Sequence, residues 1–196
     1  MPKVGMQPLR RRQLIDATLA SIDQHGLHNT TIVTISRLAG VSSGIISHYF
    51  GGKNGLLEAS MRHLLKELGD SYKARLAKVP DDDAAGRVMA VLEANFDRVQ
   101  TSPAACKTWL AFWAEAMHQP ELARLQKVNA RRLLSNLRVA LKPLLPAPRA
   151  QLVAQGLAAL IDGLWLRGAL EGGIDTQQAK ALCRDYLAQQ LKYKDS

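Results

Sequence analysis

A short segment near the N-terminus carries side chains that can read nucleic acid. Its residues are small or hydrogen-bonding and include no carboxylate: Ser42, Ser43, Gly44, Ser47, His48 and Tyr49. Such a surface can enter a DNA major groove, which is about 12 Å wide, and approach phosphates without charge repulsion. Lys53 follows at the expected start of the next helix, where a phosphate would meet its ammonium and a helix N-terminus. Upstream, Arg10, Arg11 and Arg12 predict an arm that reaches phosphates or the adjacent minor groove.

A second group of residues has the chemistry to bind a quaternary ammonium ion. Trp109, Phe112 and Trp113 share one helical face, and Glu115 lies on its flank. A trimethylammonium group cannot donate an N–H bond, so ring faces and a nearby carboxylate must hold it, each ring contributing about 0.5–2 kcal/mol. Trp165 and Asp162 offer a further ring and carboxylate. The alternative interpretation of the aromatic face is a core stripe.

Asp162 has two interpretations of its own. It is either a ligand carboxylate or the ion-pair partner of Arg131, Arg132 or Arg167, and the pair is favoured because a buried charge needs a partner without ligand too.

Catalytic and metal chemistry find little support. The histidines, His118 included, show no metal-like cluster, and no cysteine stands at ligand spacing. An enzyme using Glu115, Asp162 or His118 on a cationic substrate would lack a nucleophile–base pair, a phosphate loop and a metal motif. We therefore expect no enzyme activity, no metal and no cofactor, and we expect Cys106 and Cys183 to be buried small hydrophobes.

The composition favours a polyanionic partner. Of 196 residues, 47% are apolar, and 26 Lys and Arg against 17 Asp and Glu give a net charge of +9. Residues 1–63 hold seven basic and three acidic residues, so the charge permits DNA binding without concentrating in this segment. Two cysteines are too few for a disulfide framework, and no apolar run has membrane length. The start of the sequence lacks a secretory signal, so we expect a cytoplasmic protein without membrane contact.

The positions of glycine and proline along the chain predict an all-α fold. Gly26, Gly40 and Gly172-Gly173 act as stops, and Pro103 and Pro120 suit first helical turns. The predicted helices are residues 9–25, 31–39, 42–50 (with Ser42 as N-cap), 53–78, 84–101, 103–118, 120–142, 150–171 and 176–192.

The second and third helices predict a helix-turn-helix. Gly40 supplies the left-handed turn, Ser36 is the small residue where the helices cross, and Ile35, Val41 and Ile46 supply the core. The inward face of the second helix comprises Ile32, Ile35, Leu38 and Ala39. A plain αα-hairpin in a bundle is the alternative.

These residues resemble the DNA-binding signature of TetR-type repressors. The resemblance rests on Thr30-Thr31-Ile32, Leu38-Ala39-Gly40-Val41-Ser42, Gly44, Tyr49-Phe50 and Lys53-Asn54-Gly55-Leu56-Leu57. It implies an all-helical homodimer with an N-terminal three-helix DNA domain, here residues 1–52 with a recognition helix at about 42–49. A larger helical domain, residues 53–196, would bind a small inducer and dimerise.

The same resemblance assigns DNA-facing positions to Thr31, Ser43, Ile45, Ser47, His48, Tyr49 and Lys53. Two positions depart from the wider family, since Ile45 stands where many relatives carry Thr and Ser47 where many carry Tyr. We expect Ile45 to contact a thymine methyl group. The Gly51-Gly52 lead-in predicts a weak cap for the following helix.

Within the family, most of the chain resembles the choline-responsive repressors of glycine-betaine synthesis genes. The matching segments include the opening MPKVGM, residues 45–50, 109–113, 117–120, 131–137 and 159–167. They imply double-stranded operator DNA as partner and choline or a related quaternary ammonium ion as effector. The alternatives are a different cationic or apolar ligand, or an architectural DNA protein without a ligand.

The two C-terminal helices predict the dimer interface. Helix 150–171 is apolar on several sides, so it should be buried on more than one. Together with Leu182, Tyr186, Leu187 and Leu191 it would form an isologous four-helix contact. The N-terminal DNA-binding domains of the two protomers should then lie about 34–36 Å apart, which is one turn of DNA.

Overall fold

The computed structural model describes residues 6–192, and every regular element in that range is helical. The helices are α1 (Met6–Asn29), α2 (Ile32–Ala39), α3 (Gly44–Phe50), α4 (Lys53–Leu76), α5 (Ala84–Asn95), α6 (Arg98–Thr101), α7 (Pro103–Ala116), α8 (Pro120–Leu141), α9 (Ala147–Leu170) and α10 (Thr176–Lys192). The all-α prediction is confirmed. No described helix is long and apolar enough to span a membrane.

The chain forms two compact units. The first contains residues 6–66 and Pro103–Gln126, and the second contains Glu67–Ser102 and residues 127–192. The first unit thus joins the predicted DNA-binding helices to α7, which carries the aromatic face. The functional division at residue 52 stays a prediction, and its outer ends, 1–5 and 193–196, lie outside the described residues together with most of the MPKVGM segment.

The core of the first unit sits where α1, α2, α3 and the start of α4 meet. Leu14, Ile35, Ile46 and Leu56 are buried there, and α1 also packs against α7. Each such side chain stabilises the fold by about 1.5–3 kcal/mol relative to an exposed one. The spacing of these residues is therefore what sets the angle between the short helices.

The turn between α2 and α3 follows the predicted geometry. Gly40 adopts φ 62° and ψ 39°, a left-handed conformation that favours glycine, and ends α2. The Val41 N–H donates to the Ser36 carbonyl at 3.0 Å, and Ser36 is buried with its hydroxyl on the Ile32 carbonyl. The helix-turn-helix prediction is confirmed in these details.

Glycine is also required where α4 approaches α3. A Cβ atom on Gly55 would overlap the backbone carbonyl of Phe50. The first turn of α4 can therefore pack directly on the end of α3 only because residue 55 has no side chain.

Several predicted boundaries were wrong. Helix α3 begins at Gly44, and the preceding Ser43 makes no side-chain cap, so Ser42 is not its N-cap. Helix α1 starts at Met6 instead of Leu9; Gly26 interrupts it as predicted, with φ 73° and ψ 166°, and a further helical segment extends to Asn29. Leu38, predicted to face inward, is 40% exposed because it lies at the edge of the apolar face of α2.

The predicted helix 84–101 is divided in two by Asp97. Its carboxylate accepts from the Val99 N–H and caps the four-residue α6. The same carboxylate binds Ser71 and the Arg75 guanidinium at 2.8 Å. Burial alone would raise the pKa of Asp97, but these hydrogen bonds and the Arg75 charge outweigh it and lower the pKa. Distant polar partners thus stabilise a break that local helical periodicity does not show.

The second unit is built around α5, α9 and α10. Val88, Leu92, Leu157 and Cys183 are fully buried in it, and α10 packs against both α5 and α9. Large side chains on the outer surfaces of α9 and α10 stay accessible in the single chain, namely Leu152, Leu166, Leu170, Leu182 and Leu191.

Candidate nucleic-acid interface and ligand face

Helix α3 exposes the polar residues that the sequence singled out. Ser42, Ser43, Gly44, Ser47 and His48 are all exposed, whereas Ile46 is fully buried beneath them. The edge of the His48 ring meets the Tyr49 ring, with centroids 5.0 Å apart. The structure therefore gathers five hydrogen-bonding or small positions on the solvent side of α3 and of the turn that leads into it.

Two of the proposed DNA-facing residues also pack inward. Ile45 and Tyr49 are half-buried and rest against the core formed with Leu14, Ile35 and Ile46. Only part of the Ile45 side chain remains available to a thymine methyl group. That contact stays a prediction.

Thr31 and Lys53 both have structural partners at helix ends. Thr31 is the N-cap of α2: its hydroxyl accepts from the Thr34 N–H at 3.1 Å, and the Thr34 hydroxyl accepts from the Thr31 N–H at 2.8 Å. Lys53 begins α4 as expected, and its ammonium donates to the Leu27 carbonyl at 3.2 Å. The contacts of Thr31 and Lys53 with DNA stay predictions.

The three arginines lie within helix α1, in agreement with the predicted helix 9–25. Helix α1 already begins at Met6, so all three lie on helical turns. Arg10 donates to the Gln13 side chain at 2.8 Å, and Arg12 forms an ion pair with Asp16 at 2.9 Å. Arg11 donates to the Tyr49 carbonyl at 2.9 Å, with its guanidinium carbon 4.6 Å from the centre of the Phe50 ring. Helix α1 thus begins three residues earlier than predicted, which Pro8 permits because in the first turn of a helix its missing N–H has no intrahelical partner.

The aromatic face of α7 lies in the first unit and is only partly accessible. Phe112 is completely buried and Trp109 nearly so, with their rings edge to face at 5.8 Å. Trp113 is half-buried, 6.1 Å from Trp109 between ring centres. Glu115 is also half-buried and accepts a hydrogen bond from Gln119. Trp113 is thus the tryptophan of α7 with surface left for a ligand.

Asp162 and Trp165 lie on α9 in the second unit. Trp165 is buried, whereas Asp162 is exposed, although surrounding protein still desolvates its carboxyl and raises the pKa. The predicted ion pair is wrong for the described chain: Asp162 pairs with none of the three arginines, and Arg167 lies 3.6 Å from Glu171 instead.

Metal and thiol chemistry gain no support from residues 6–192. No group of three or more His, Cys, Asp or Glu side chains in that range could hold a metal ion. Cys106 and Cys183 are buried, which raises the pKa of each thiol to about 11 and keeps both protonated near neutral pH.

Three long-range contacts of the first unit were not predicted. Gln13 donates to the Ala39 carbonyl at 2.5 Å, Arg11 to Tyr49 as described, and Lys107 pairs with Asp23 at 2.7 Å. Each joins residues far apart in the chain, and no periodic pattern marks such partners.

An exposed polar helix set by a glycine turn on an apolar three-helix core defines a helix-turn-helix DNA-binding protein. Residues 14–60 match the bacterial regulatory proteins of the tetR family, and residues 84–192 match the BetI-type transcriptional repressor C-terminal domain. The chain belongs to the TetR family, whose members are transcriptional regulators that bind operator DNA and dimerise.

Full-length relatives extend this similarity. The HTH-type transcriptional regulator BetI of Serratia proteamaculans (strain 568) is 58% identical over 193 residues, which cover 98% of both chains. The regulator of the same name from Yersinia pestis (strain Pestoides F) is 54% identical over 195 residues, covering 99% of this chain and 98% of the relative. The protein is thus a DNA-binding transcriptional repressor of TetR type.

Solved structures share the fold. A transcriptional regulator from Pseudomonas aeruginosa PAO1 is 27% identical with a TM-score of 0.81, covering 94% of this chain and 91% of that one. A regulator from Saccharomonospora viridis, solved in complex with choline, is 23% identical with a TM-score of 0.77, covering 92% and 96%. At that identity the second likeness concerns the fold alone.

Proposed function

We propose that this protein represses genes for glycine-betaine synthesis from choline and for choline uptake, and that choline is its effector. The observation that carries the proposal is the 58% identity to a BetI regulator over 98% of the chain. The match of residues 84–192 to the BetI-type C-terminal domain includes α7, α9 and α10. The protein would act in the cytoplasm, where operator DNA is available.

We place the quaternary ammonium group against Trp113. This ring is half-buried, so a cation on its face would lose part of its water, and cation–π attraction strengthens when the cation is desolvated. Glu115 lies two residues further along α7, roughly 200° around the helix axis from Trp113, so its carboxylate does not face a cation on that ring and the cation–π contact carries the proposal. Trp109 packs against both the Trp113 ring and the buried Phe112 ring, and it thereby holds the Trp113 ring in place.

Asp162 and Trp165 are the alternative candidates for the ligand. Desolvation by the surrounding protein raises the pKa of the Asp162 carboxyl, and a bound cation would offset the cost of its charge. Trp165 is buried one helical turn away on the same helix, α9. Substitution at each position decides between the two candidate sets.

For DNA, we propose that α3 lies in the major groove with Ser47 and His48 toward the bases. Lys53, Tyr49 and Thr31 would contact the backbone from the ends of α2, α3 and α4. These assignments need two DNA-binding domains that lie one helical turn of DNA apart, about 34–36 Å. A twofold dimer would provide this spacing.

We propose that the dimer forms through α9 and α10. Leu152, Leu170 and Leu182 are 59%, 69% and 45% exposed in the single chain, although each is a large apolar side chain. An isologous contact between two copies would remove them from water at about 25 cal/mol per Å² of apolar area.

The proposal is tested by titrating the purified protein with choline, betaine and betaine aldehyde, with and without DNA from upstream of its own gene. We expect a dimer by sedimentation, specific DNA binding, and weaker DNA binding with choline. By linkage, DNA must weaken choline binding by the same factor. Specific DNA binding without any choline response would favour another cationic or apolar effector, and a monomer without specific binding would reject the proposal.

A further inference from the structure

We propose that Arg11 and Gln13 are positioning residues of the DNA-reading helix, holding α2 and α3 by the carbonyl groups at their C-terminal ends. The inference rests on the proposed binding of operator DNA by α3. It assigns Arg11 a role inside the protein in place of the predicted phosphate contact.

Helix α3 needs such support because it is weakly determined by itself. It has seven residues, and isolated helices shorter than about 12–15 residues are marginal in water. Its N-cap residue Ser43 makes no side-chain bond to the helix. Of its own side chains, Ile46 alone is fully buried. Its core residues set which side of α3 faces inward, and the contacts at its ends restrict how far the helix can tilt and rotate.

Arg11 holds the C-terminal end of α3. It lies 38 residues away in sequence, donates to the Tyr49 carbonyl at 2.9 Å and places its guanidinium over the Phe50 ring at 4.6 Å. A cation at a helix C-terminus is favoured by the helix dipole, and the last carbonyls have no intrahelical partner. Because Tyr49 and Phe50 are consecutive, the two contacts restrict both the position of the end of α3 and its rotation.

Gln13 holds the C-terminal end of α2 in the same way. Its side-chain amide donates to the carbonyl of Ala39, the last residue of α2, at 2.5 Å. Residues two apart on a helix point to opposite sides, roughly 200° around the axis, so Arg11 and Gln13 reach different helices from one turn of α1. Together they fix both arms of the helix-turn-helix relative to α1.

The experiment compares Arg11→Gln and Arg11→Lys with a charge-matched control, Arg62→Gln. Arg62 belongs to the first unit and forms an ion pair with Glu58, one turn away on its own helix. Affinity is measured for DNA from upstream of the gene and for scrambled DNA, across a series of salt concentrations.

For a positioning residue, Arg11→Gln weakens specific binding by roughly threefold relative to Arg62→Gln, because the charged hydrogen bond that it removes is solvent-exposed. Binding to scrambled DNA and the salt slope stay equal to those of the control. Arg11→Lys fails to restore specificity, because an ammonium cannot stack on Phe50 as a planar guanidinium does.

The inference is overturned if the Arg11 variants behave as variants of a phosphate-binding residue do. Arg11→Gln would then weaken binding to all DNA and reduce the salt slope by about one, and Arg11→Lys would restore both. Wild-type affinity of Arg11→Gln at every salt concentration overturns it equally.

A second variant removes the ring without changing charge. Phe50→Leu should lose part of the specificity that Arg11→Gln loses, and the loss in the double variant should be smaller than the sum of the two single losses, because either change removes the contact of the guanidinium with the ring. Additive losses contradict the inference.

A measurement without DNA separates this inference from the proposed function. Amide hydrogen exchange in α3 should be faster in Arg11→Gln than in Arg62→Gln. Exchange in α1 and in α4 should be the same in the two variants. Equal exchange in α3 rejects the positioning role, whereas a wild-type protein that does not prefer its own upstream DNA rejects only the proposed operator.

Discussion

Lys107 on α7 holds Asp23 on α1 by two contacts, an ion pair of 2.7 Å to the carboxylate and a hydrogen bond of 2.6 Å to the backbone carbonyl. The pair is largely solvent-exposed, so it adds at most about 1 kcal/mol to stability. Its position gives it a different importance. It joins the helix that carries Trp113 to the helix that carries Arg11 and Gln13, all within the first compact unit.

Replacing Lys107 should weaken communication between ligand and DNA. We expect Lys107→Gln to bind operator DNA with nearly wild-type affinity in the absence of choline, because the DNA-reading helix keeps its own anchors. The factor by which choline lowers that affinity should fall at least threefold. Titrations of labelled DNA with and without saturating choline measure this factor, with exposed Lys73→Gln as the control. An unchanged factor in both variants would show that α7 and α1 communicate by other contacts.

Trp113 should be required for the choline response. Trp113→Ala removes the accessible ring of α7, so choline affinity should fall roughly tenfold or more while specific DNA binding survives. Trp113→Phe should retain part of the affinity because it keeps a ring. Calorimetric titration with choline measures both, and Trp165→Phe tests the alternative on α9. Normal choline affinity in Trp113→Ala would exclude the α7 site.

The buried neighbour of Trp113 should respond differently. Phe112 is completely buried, so Phe112→Ala should cost about 3–5 kcal/mol of stability through the lost packing and the cavity it leaves. Thermal unfolding measures this loss. A stable Phe112→Ala protein with weakened choline binding would place Phe112 in the ligand site.

The exposed residues of α3 and the residues at the helix ends should have separable effects on DNA. Ser47→Ala and His48→Ala should change base preference, since a good base contact discriminates by about 1–3 kcal/mol. Tyr49→Phe and Lys53→Gln should weaken binding to all sequences, and Lys53→Gln should reduce the salt slope by about one. Binding to a randomised DNA library at two salt concentrations distinguishes the classes. Unaltered preference and affinity in all four variants would exclude α3 as the reader.

Gly55 should tolerate no side chain. Gly55→Ala would drive a methyl group into the Phe50 carbonyl, so α4 and α3 must separate and specific DNA binding should be lost. Gly69 in the same helix is the matched control. A Cβ there meets no atom within 4 Å, and Gly69→Ala should stabilise the protein by about 0.5–1 kcal/mol. Equal melting temperatures for the two variants would contradict this difference.

Much of the architecture follows from local sequence. The left-handed turn at Gly40, the reciprocal cap of Thr31 and Thr34, and first-turn prolines such as Pro103 all depend on residues within about four positions. The apolar spacing of α2 and α3 likewise identified Ile35 and Ile46 as core residues. Periodicity and capping preferences were sufficient there because a helix places such residues on one face, whatever else the chain does.

Tertiary structure alone decided which polar groups meet. Arg11 binds a carbonyl 38 residues away, and Lys107 contacts Asp23 across 84 residues. The sequence does not distinguish such a cation from one that faces solvent or DNA. The sequence likewise placed three rings on one face of α7, but packing determined that Phe112 is enclosed while Trp113 keeps accessible surface. Helical spacing determines the direction of a side chain from its own axis, whereas burial and partners depend on the helix that packs against it.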